Sequence, residues 1–219
     1  DTIRLADASQ RIGVFDSTVL FGPHSEHYFI KNSHASSVIG VRFKPGGAIP
    51  FVGVPMECLQ NKKLSMHDIW GNRMIDLRDE LLFAPTIENK FLVLDNRLSQ
   101  WAVKPFSVPP EVQFALKELT EISSNLEISD IVNKLGVSHR RFIDMFKKIT
   151  GFTPKKYRRI QRFQHALKHI HSKPSLNWAE LAVFCGYYDQ AHFTKDFQSF
   201  SGINPTMYHT RPNRHHNHV

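Results

Sequence analysis

Between Ser138 and Arg162 the sequence carries nine Lys or Arg and a single acid, Asp144. So dense a run of cations suits a polyanionic partner. His139, Arg141, Lys147, Lys148, Lys155, Lys156, Arg158 and Arg159 are the candidates here for contacts to phosphate, which hold a protein on nucleic acid without reading its sequence. Other side chains in and beyond this run have the chemistry to read base edges. Arg140 can bind guanine O6 and N7 together, Gln190 suits adenine N6 and N7, and Asp144 can accept from cytosine N4. Lys195 suits guanine or phosphate, whereas Ile143 offers only apolar contact, for example to a thymine methyl.

Other chemistries find less support. Among thirteen histidines, His24 and His27 share a Pro-His-Ser-Glu-His loop with His34 nearby. No HxH pattern with a following Glu and His accompanies them, so no metal site is expected. His215, His216 and His218 belong to a polar tail, 212–219, expected to be disordered. The chain has two cysteines, Cys58 and Cys185. Neither has a CxxC or CxxH neighbour, so they read as reduced thiols, with Cys185 on an apolar helix pattern. The sequence has no GxSxG elbow, no HExxH and no Gly-rich phosphate loop, and neither an enzyme nor a cofactor is expected. A DNA-repair alkyl acceptor would need an activated cysteine, and neither thiol has a basic neighbour in sequence. A third class is a basic module that docks an acidic protein. Phe142, Phe146, Phe193, Phe197 and Trp178 have the chemistry of stacking platforms for single strands, but their helical spacing assigns them to a core.

These residues need elements to hold them. The 219 residues are 41% hydrophobic and 22% charged, enough apolar material for one or two domains. No apolar run approaches the ~20 residues that span a bilayer, and a cytoplasmic, nucleoid-associated protein is expected. The chain starts at Asp1 without a signal-peptide pattern, and without an initiator methionine it reads as trimmed or fragmentary. Residues 1–104 hold 12 Lys and Arg against 11 Asp and Glu, and residues 105–219 hold 16 against 9. The basic excess thus lies in the second half. Short β-rich runs at Ile12–Phe15, Val19–Phe21, His27–Ile30 and Val38–Phe43, separated by Gly, Pro, Asn and Ser, predict part of an antiparallel sheet or barrel over 1–65. Lys44-Pro45-Gly46-Gly47 is a turn signal. Trp70, Met74, Leu77 and Leu81, then Phe91, Leu94 and Leu98, predict two connector helices over 66–104, parted at Pro85. Three prolines between Ala102 and Pro110 mark a linker.

From 105 to 211 the pattern is helical and repeats. Leu181, Ala182, Cys185 and Gly186 follow Ile131, Val132, Leu135 and Gly136 by 50 residues. Phe193, Phe197, Gly202, Pro205 and Tyr208 follow Phe142, Phe146, Gly151, Pro154 and Tyr157 by 51. This reads as a duplicated helix-turn-helix unit, with Ser129, Ser138 and Asp189 as N-caps and a basic helix from Pro154 to His171 joining the halves. That helix would span ~27 Å, enough to hold two projecting helices about 34 Å apart, one turn of duplex.

Residues 129–208 resemble the AraC/XylS family of bacterial transcription regulators. The match is carried by Leu135-Gly136-Val137-Ser138, Phe142 and Phe146, and by Trp178-Ala179-Glu180-Leu181-Ala182, Cys185-Gly186-Tyr187-Tyr188-Asp189-Gln190-Ala191-His192-Phe193, Phe197, Gly202, Pro205 and Tyr208. Gly40-Val41-Arg42-Phe43-Lys44-Pro45-Gly46-Gly47 and Asp68-Ile69-Trp70-Gly71 are similar to the sensor region of one subgroup, whose N-terminal domain is usually longer. The resemblance implies an α+β chain: a small β-rich, partly barrel-like region for sensing or dimerisation, two connector helices, and an all-α DNA-binding domain of seven helices. It implies double-stranded DNA as partner, with RNA polymerase, a small-molecule effector and a second copy of the chain as further ones. By position in the motif, the base readers are Arg140, Ile143 and Asp144 in the first unit and Gln190, Ala191, Thr194 and Lys195 in the second. Ile143 and Asp144 depart from the long polar or basic residues expected there, and Asp144 can instead pair with an arginine or repel phosphate.

Overall fold

The computed structural model describes residues 2–6, 9, 11–16, 18–31, 38–102, 106–121, 126–172 and 175–210. The expected tail at 212–219 and His34 lie outside them. Among the described residues, five short strands form two small antiparallel sheets. β1 (Thr2–Ala6) lies between β2 (Ile12–Asp16) and β4 (Phe29–Lys31), and β3 (Val19–Phe21) pairs with β5 (Lys63–Ser65). Leu5 faces Gly13 on one neighbour and Ile30 on the other, and is buried. Neither sheet closes into a barrel. Val38–Phe43 is not a strand. Among the described residues no strand pairs with it; Ile39 packs into the cluster around Met74 and Leu77, and Phe43 rests against Phe51. The turn expected at Lys44–Gly47 is present, with Gly47 N–H donating to Lys44 O at 2.8 Å.

A short helix α1 (Ile49–Val52) and a 3-10 turn (Met56–Leu59) precede three helices, α2 (Met66–Trp70), α3 (Asn72–Phe83) and α4 (Ile87–Trp101). The periodicity predicted one helix where α2 and α3 stand. Gly71, at φ 56° and ψ −134°, breaks it, a conformation that side-chain-bearing residues rarely adopt. The break sets Trp70 against Trp101, with ring centroids 4.6 Å apart, and lets its indole N–H donate to Phe51 O at 3.1 Å.

Among its described residues the C-terminal part holds the seven helices expected of it: α5 (Pro110–Thr120), α6 (Ile128–Leu135), α7 (His139–Thr150), α8 (Pro154–Ser172), α9 (Trp178–Phe184), α10 (Gln190–Ser201) and α11 (Pro205–Thr210). They build two cores. The first gathers Val112, Ala115, Leu119, Ile131, Val132, Phe142, Phe146 and Ile149, with Tyr157 of α8 packed against it. The second gathers Leu181, Ala182, Cys185, Phe193 and Phe197 against Phe163, Ala166, Leu167 and Ile170 of α8. α8 therefore serves one core with its first turn and the other with its remainder. Phe142, Phe146, Phe193 and Phe197 are fully buried, which removes them as stacking platforms. Ser129 does not cap α6. Glu127 does, its backbone N–H donating to Asp130 Oδ2 at 2.9 Å, because the reciprocal acid three residues on supplies a cap that Ser129, already inside the first turn, cannot. No helix among the described residues is long and apolar enough to cross a membrane.

Candidate nucleic-acid interface

Each half of the repeat is a short helix, a turn, and a helix that begins at a side-chain cap. Ser138 Oγ accepts from Arg141 N–H at 3.3 Å at the start of α7, and Asp189 Oδ1 accepts from His192 N–H at 2.7 Å at the start of α10. The far ends match as well. Thr150 Oγ1 donates to Phe146 O, and Ser201 Oγ to Phe197 O, both at 2.8 Å. Gly151 and Gly202 follow in the left-handed conformation. Equivalent hydrogen bonds at both ends fix where each helix starts and stops, and with it which residues project.

Ser138, Arg140, Arg141, Asp144, Met145 and Lys148 line a shallow depression on the outside of α7. Arg140, Arg141, Asp144, Lys148 and His139 are exposed, whereas Ile143 is half-buried. On α10, Gln190, Ala191 and Lys195 are exposed. Thr194 is half-buried, and its hydroxyl donates back to Gln190 O at 2.8 Å. The expected readers thus divide into a freely projecting set and two residues, Ile143 and Thr194, that are partly withdrawn.

Several expected phosphate contacts have partners within the protein. Arg159 grips the buried Asp196 of α10 with both carboxylate oxygens, Nη2 to Oδ1 at 2.6 Å and Nε to Oδ2 at 3.1 Å. That hydrogen bonding holds Arg159 above its usual pKa. Arg158 donates to Leu126 O and pairs with Glu127 at 3.7 Å, closing the segment before α6. Its burial lowers its pKa. Lys147 pairs with Glu57 of the 3-10 turn at 3.2 Å. Lys156 lies over the Phe200 ring at 5.1 Å, and burial, with Arg159 beside it, lowers its pKa. Lys155 is exposed. The sequence held one sign of this: Asp196 falls in the apolar stripe of Phe193, Phe197 and Phe200, where a carboxylate must find a cation. Glu57 gave no such sign.

The thiols differ in setting. Cys185 is fully buried in the second core, and burial pushes its pKa up to about 11, the opposite of an activated nucleophile. Cys58 is exposed. In the N-terminal region Phe21 stacks on Tyr28, Phe29 meets His27, and Phe51 meets Phe43. No group of three or more metal-ligating side chains occurs among the described residues.

Residues 115–211 match a family model described as a helix-turn-helix domain, and residues 3–65 match one described as a domain of unknown function. No curated protein matches the chain. Among solved structures, the chain is similar to the C-terminal domain of AraT, a response regulator from Geobacillus stearothermophilus. The identity is 24%, over 52% of this chain and 98% of that one, with a TM-score of 0.44. It is also similar to a Chromobacterium violaceum transcriptional regulator described by its AraC-type DNA-binding domain, at 24% identity over 48% of this chain and 96% of that one, TM-score 0.42. ToxT from Vibrio cholerae O395, solved with a naphthalenyl-butenoic acid bound, is similar over 95% of this chain and 86% of its own, at 11% identity and TM-score 0.48. TM-scores below 0.5 mark all three as loose likenesses of arrangement.

Proposed function

We propose that residues 115–211, which match a helix-turn-helix family model, are a DNA-binding domain of the AraC type, and that the chain is a transcription regulator that reads a specific site on double-stranded DNA. α7 and α10 enter successive major grooves on one side of the duplex. The observation that carries this reading is the pair of repeat-equivalent helices, capped alike, presenting Arg140, Arg141, Asp144 and Lys148 on one and Gln190, Ala191 and Lys195 on the other. α8, with its 19 residues, is ~28 Å long, the right scale to hold two helices one duplex turn apart. Arg140 and Gln190 are the principal base readers, and Lys195 takes guanine or phosphate. Asp144 accepts from cytosine or pairs with a neighbouring arginine. Ile143, Ala191 and Thr194 contribute at most contacts to thymine methyls. His139, Arg141, Lys148 and Lys155 contact phosphate. RNA polymerase, a small-molecule effector at the N-terminal region and a second copy of the chain are the further partners this reading expects.

Two other readings fit less well. An alkyl acceptor would need a thiolate, and the Cys185 thiol is buried and held protonated. A basic module for an acidic protein partner would not need two matched, capped helices. The test is competition binding on duplexes that differ by one base pair. Arg140→Ala is expected to weaken binding by about 1–3 kcal/mol and to relax preference at one position only. Uniform weakening across all single-base variants would overturn base reading by Arg140.

A further inference from the structure

The N-terminal region touches both helix-turn-helix units at the same place in the repeat. Gly151 ends α7 and Gly202 ends α10, 51 residues apart, and one loop meets both. A Cβ at Gly151 would lie 2.6 Å from Pro23 Cγ, and one at Gly202 would lie 2.5 Å from His27 Cε1. Between these two contacts Glu26 lies close enough to Lys156 of α8 to favour its charged form. Five consecutive residues, Pro23 to His27, thus run from the end of one reading helix, past the joining helix, to the end of the other.

The loop is held stiffly. Asn61, in the left-handed conformation at φ 54°, fastens it three times. Its backbone N–H donates to Pro23 O at 2.8 Å, its Oδ1 accepts from Ser25 N–H at 2.8 Å, and its Nδ2 donates to Glu26 Oε1 at 3.0 Å. Gly22 N–H donates to Lys62 O at 3.0 Å, and a Cβ at Gly22 would lie 1.9 Å from Leu59 O, so that position admits glycine alone. His24 is buried and donates through Nδ1 to Gly22 O at 2.6 Å. Asparagine tolerates the left-handed region better than other side chains, and its short amide reaches backbone close by, so Asn61 suits a position that must both turn and fasten the loop.

We propose that the Pro23–His27 loop is a strut that fixes the spacing of α7 relative to α10, making Pro23, His27 and Asn61 positioning residues for site selection. This rests on the reading that both helices bind one duplex. Two binding units held rigidly favour the span they are set for and lose affinity at others, whereas loosened units tolerate a wider range. The base pairs read are then chosen by the helix faces, and the number of base pairs between them by the N-terminal loop.

The experiment uses the full chain in a Cys58→Ser background. Spin labels at Lys148→Cys on α7 and Gln198→Cys on α10 report the distance between helices without DNA. Label-free protein is titrated against a duplex selected from random sequence, and against the same duplex with one base pair inserted or removed between the two contacted segments. Asn61→Gly removes the fastening side chain yet permits the backbone conformation, and His27→Ala is the milder variant. In the parent, a narrow distance distribution and about a tenfold loss of affinity on insertion are expected. In either variant, a broadened distribution and a loss reduced to about threefold are expected, with affinity for a single half-site within about twofold. An unchanged distribution and unchanged spacing preference in both variants would overturn the strut. If the parent binds no duplex, the DNA reading falls, and the distance distributions alone decide the strut.

Discussion

Substituting alanine for the glycines that end the two helices of the first unit separates backbone strain from contact with the N-terminal loop. Gly136, after α6, sits at φ 63° with nothing within 4 Å of where a Cβ would stand. Gly136→Ala therefore carries only the penalty of a left-handed alanine, about 1–2 kcal/mol. Gly151, after α7, sits at φ 83°, and its Cβ would lie 2.6 and 2.8 Å from two ring carbons of Pro23 and 3.2 Å from Met56 O. A proline ring has no rotamer by which to withdraw, so backbone must move, at about 1–3 kcal/mol beyond the shared penalty. Gly151→Ala is thus expected to cost about 2–5 kcal/mol. Urea denaturation of both variants, followed by amide hydrogen exchange to locate the loosened segment, measures the difference. In a Pro23→Gly background most of the excess should vanish. Equal losses for the two alanines, within about 0.5 kcal/mol, would refute a close-fitting loop. So would an excess that survives removal of the Pro23 ring.

Asp196→Ala should destabilise the chain by about 1.5–3 kcal/mol, as loss of hydrogen bonds to a charged group does. The lower end applies because the Arg159 side chain is 35% exposed and can turn to solvent; a loss under about 0.5 kcal/mol in urea titration would count against its fixing α10 to α8. On α7, α8 and α10, Arg140, Arg141, Lys148, Lys155 and Lys195 are exposed cations with no ion pair among the described residues, so log K should fall against log salt with a slope of about −4.5 if all five meet the duplex. Glu57→Gln should steepen that slope by up to about 0.9 by freeing Lys147, and an unchanged slope would place Lys147 off the duplex. Burial lowers the His24 pKa from 6.5, with Lys63 adding to it and the Gly22 carbonyl and Glu26 opposing. The unfolded chain therefore takes up the proton first, and stability is full above about pH 6.5 and declines as pH falls below it. His24→Phe should flatten that part of a pH series of melting temperatures, and an identical acid decline in both proteins would remove His24 as its source.

The C-terminal half was legible because its signals are local. Phe142 and Phe146, then Phe193 and Phe197, lie one turn apart in sequence, and Ser138 and Asp189 cap helices that begin immediately after them. Gly151 and Gly202 mark the ends without reference to the rest of the fold. The N-terminal region was less legible because its elements are defined by distant partners. β1 and β5 lacked a clear alternation of their own and exist through pairing with β2, β4 and β3. Val38–Phe43 had the alternation but pairs with no strand among the described residues. The same limit applies to the site. Arg159 with Asp196 lies 37 residues apart, and no spacing rule joins them. His24 and His27 drew attention as metal ligands because histidine is reactive, while their positions in the fold answer to packing against Gly22 and Gly202.

The positive charge that first pointed to nucleic acid therefore does two kinds of work. Along α8, Arg158 closes the segment before α6, Arg159 holds α10 through Asp196, and Lys156 and Arg162 cover the faces of Phe200 and Tyr187. These cations join the two units to each other, and each is already committed when a duplex arrives. Of the exposed cations that remain, Arg140, Arg141 and Lys148 sit on α7, while Gln190, whose amide has the chemistry to read adenine, sits on α10. On the proposed reading, three projecting cations on the first unit and a polar reader on the second make the units unequal in what they contribute. That inequality is useful only if their separation is fixed, because a unit that mainly holds the backbone gives register to its partner through the frame between them. α8 with its committed arginines supplies one side of that frame. The loop from Pro23 to His27, seated on the ends of both reading helices, supplies the other.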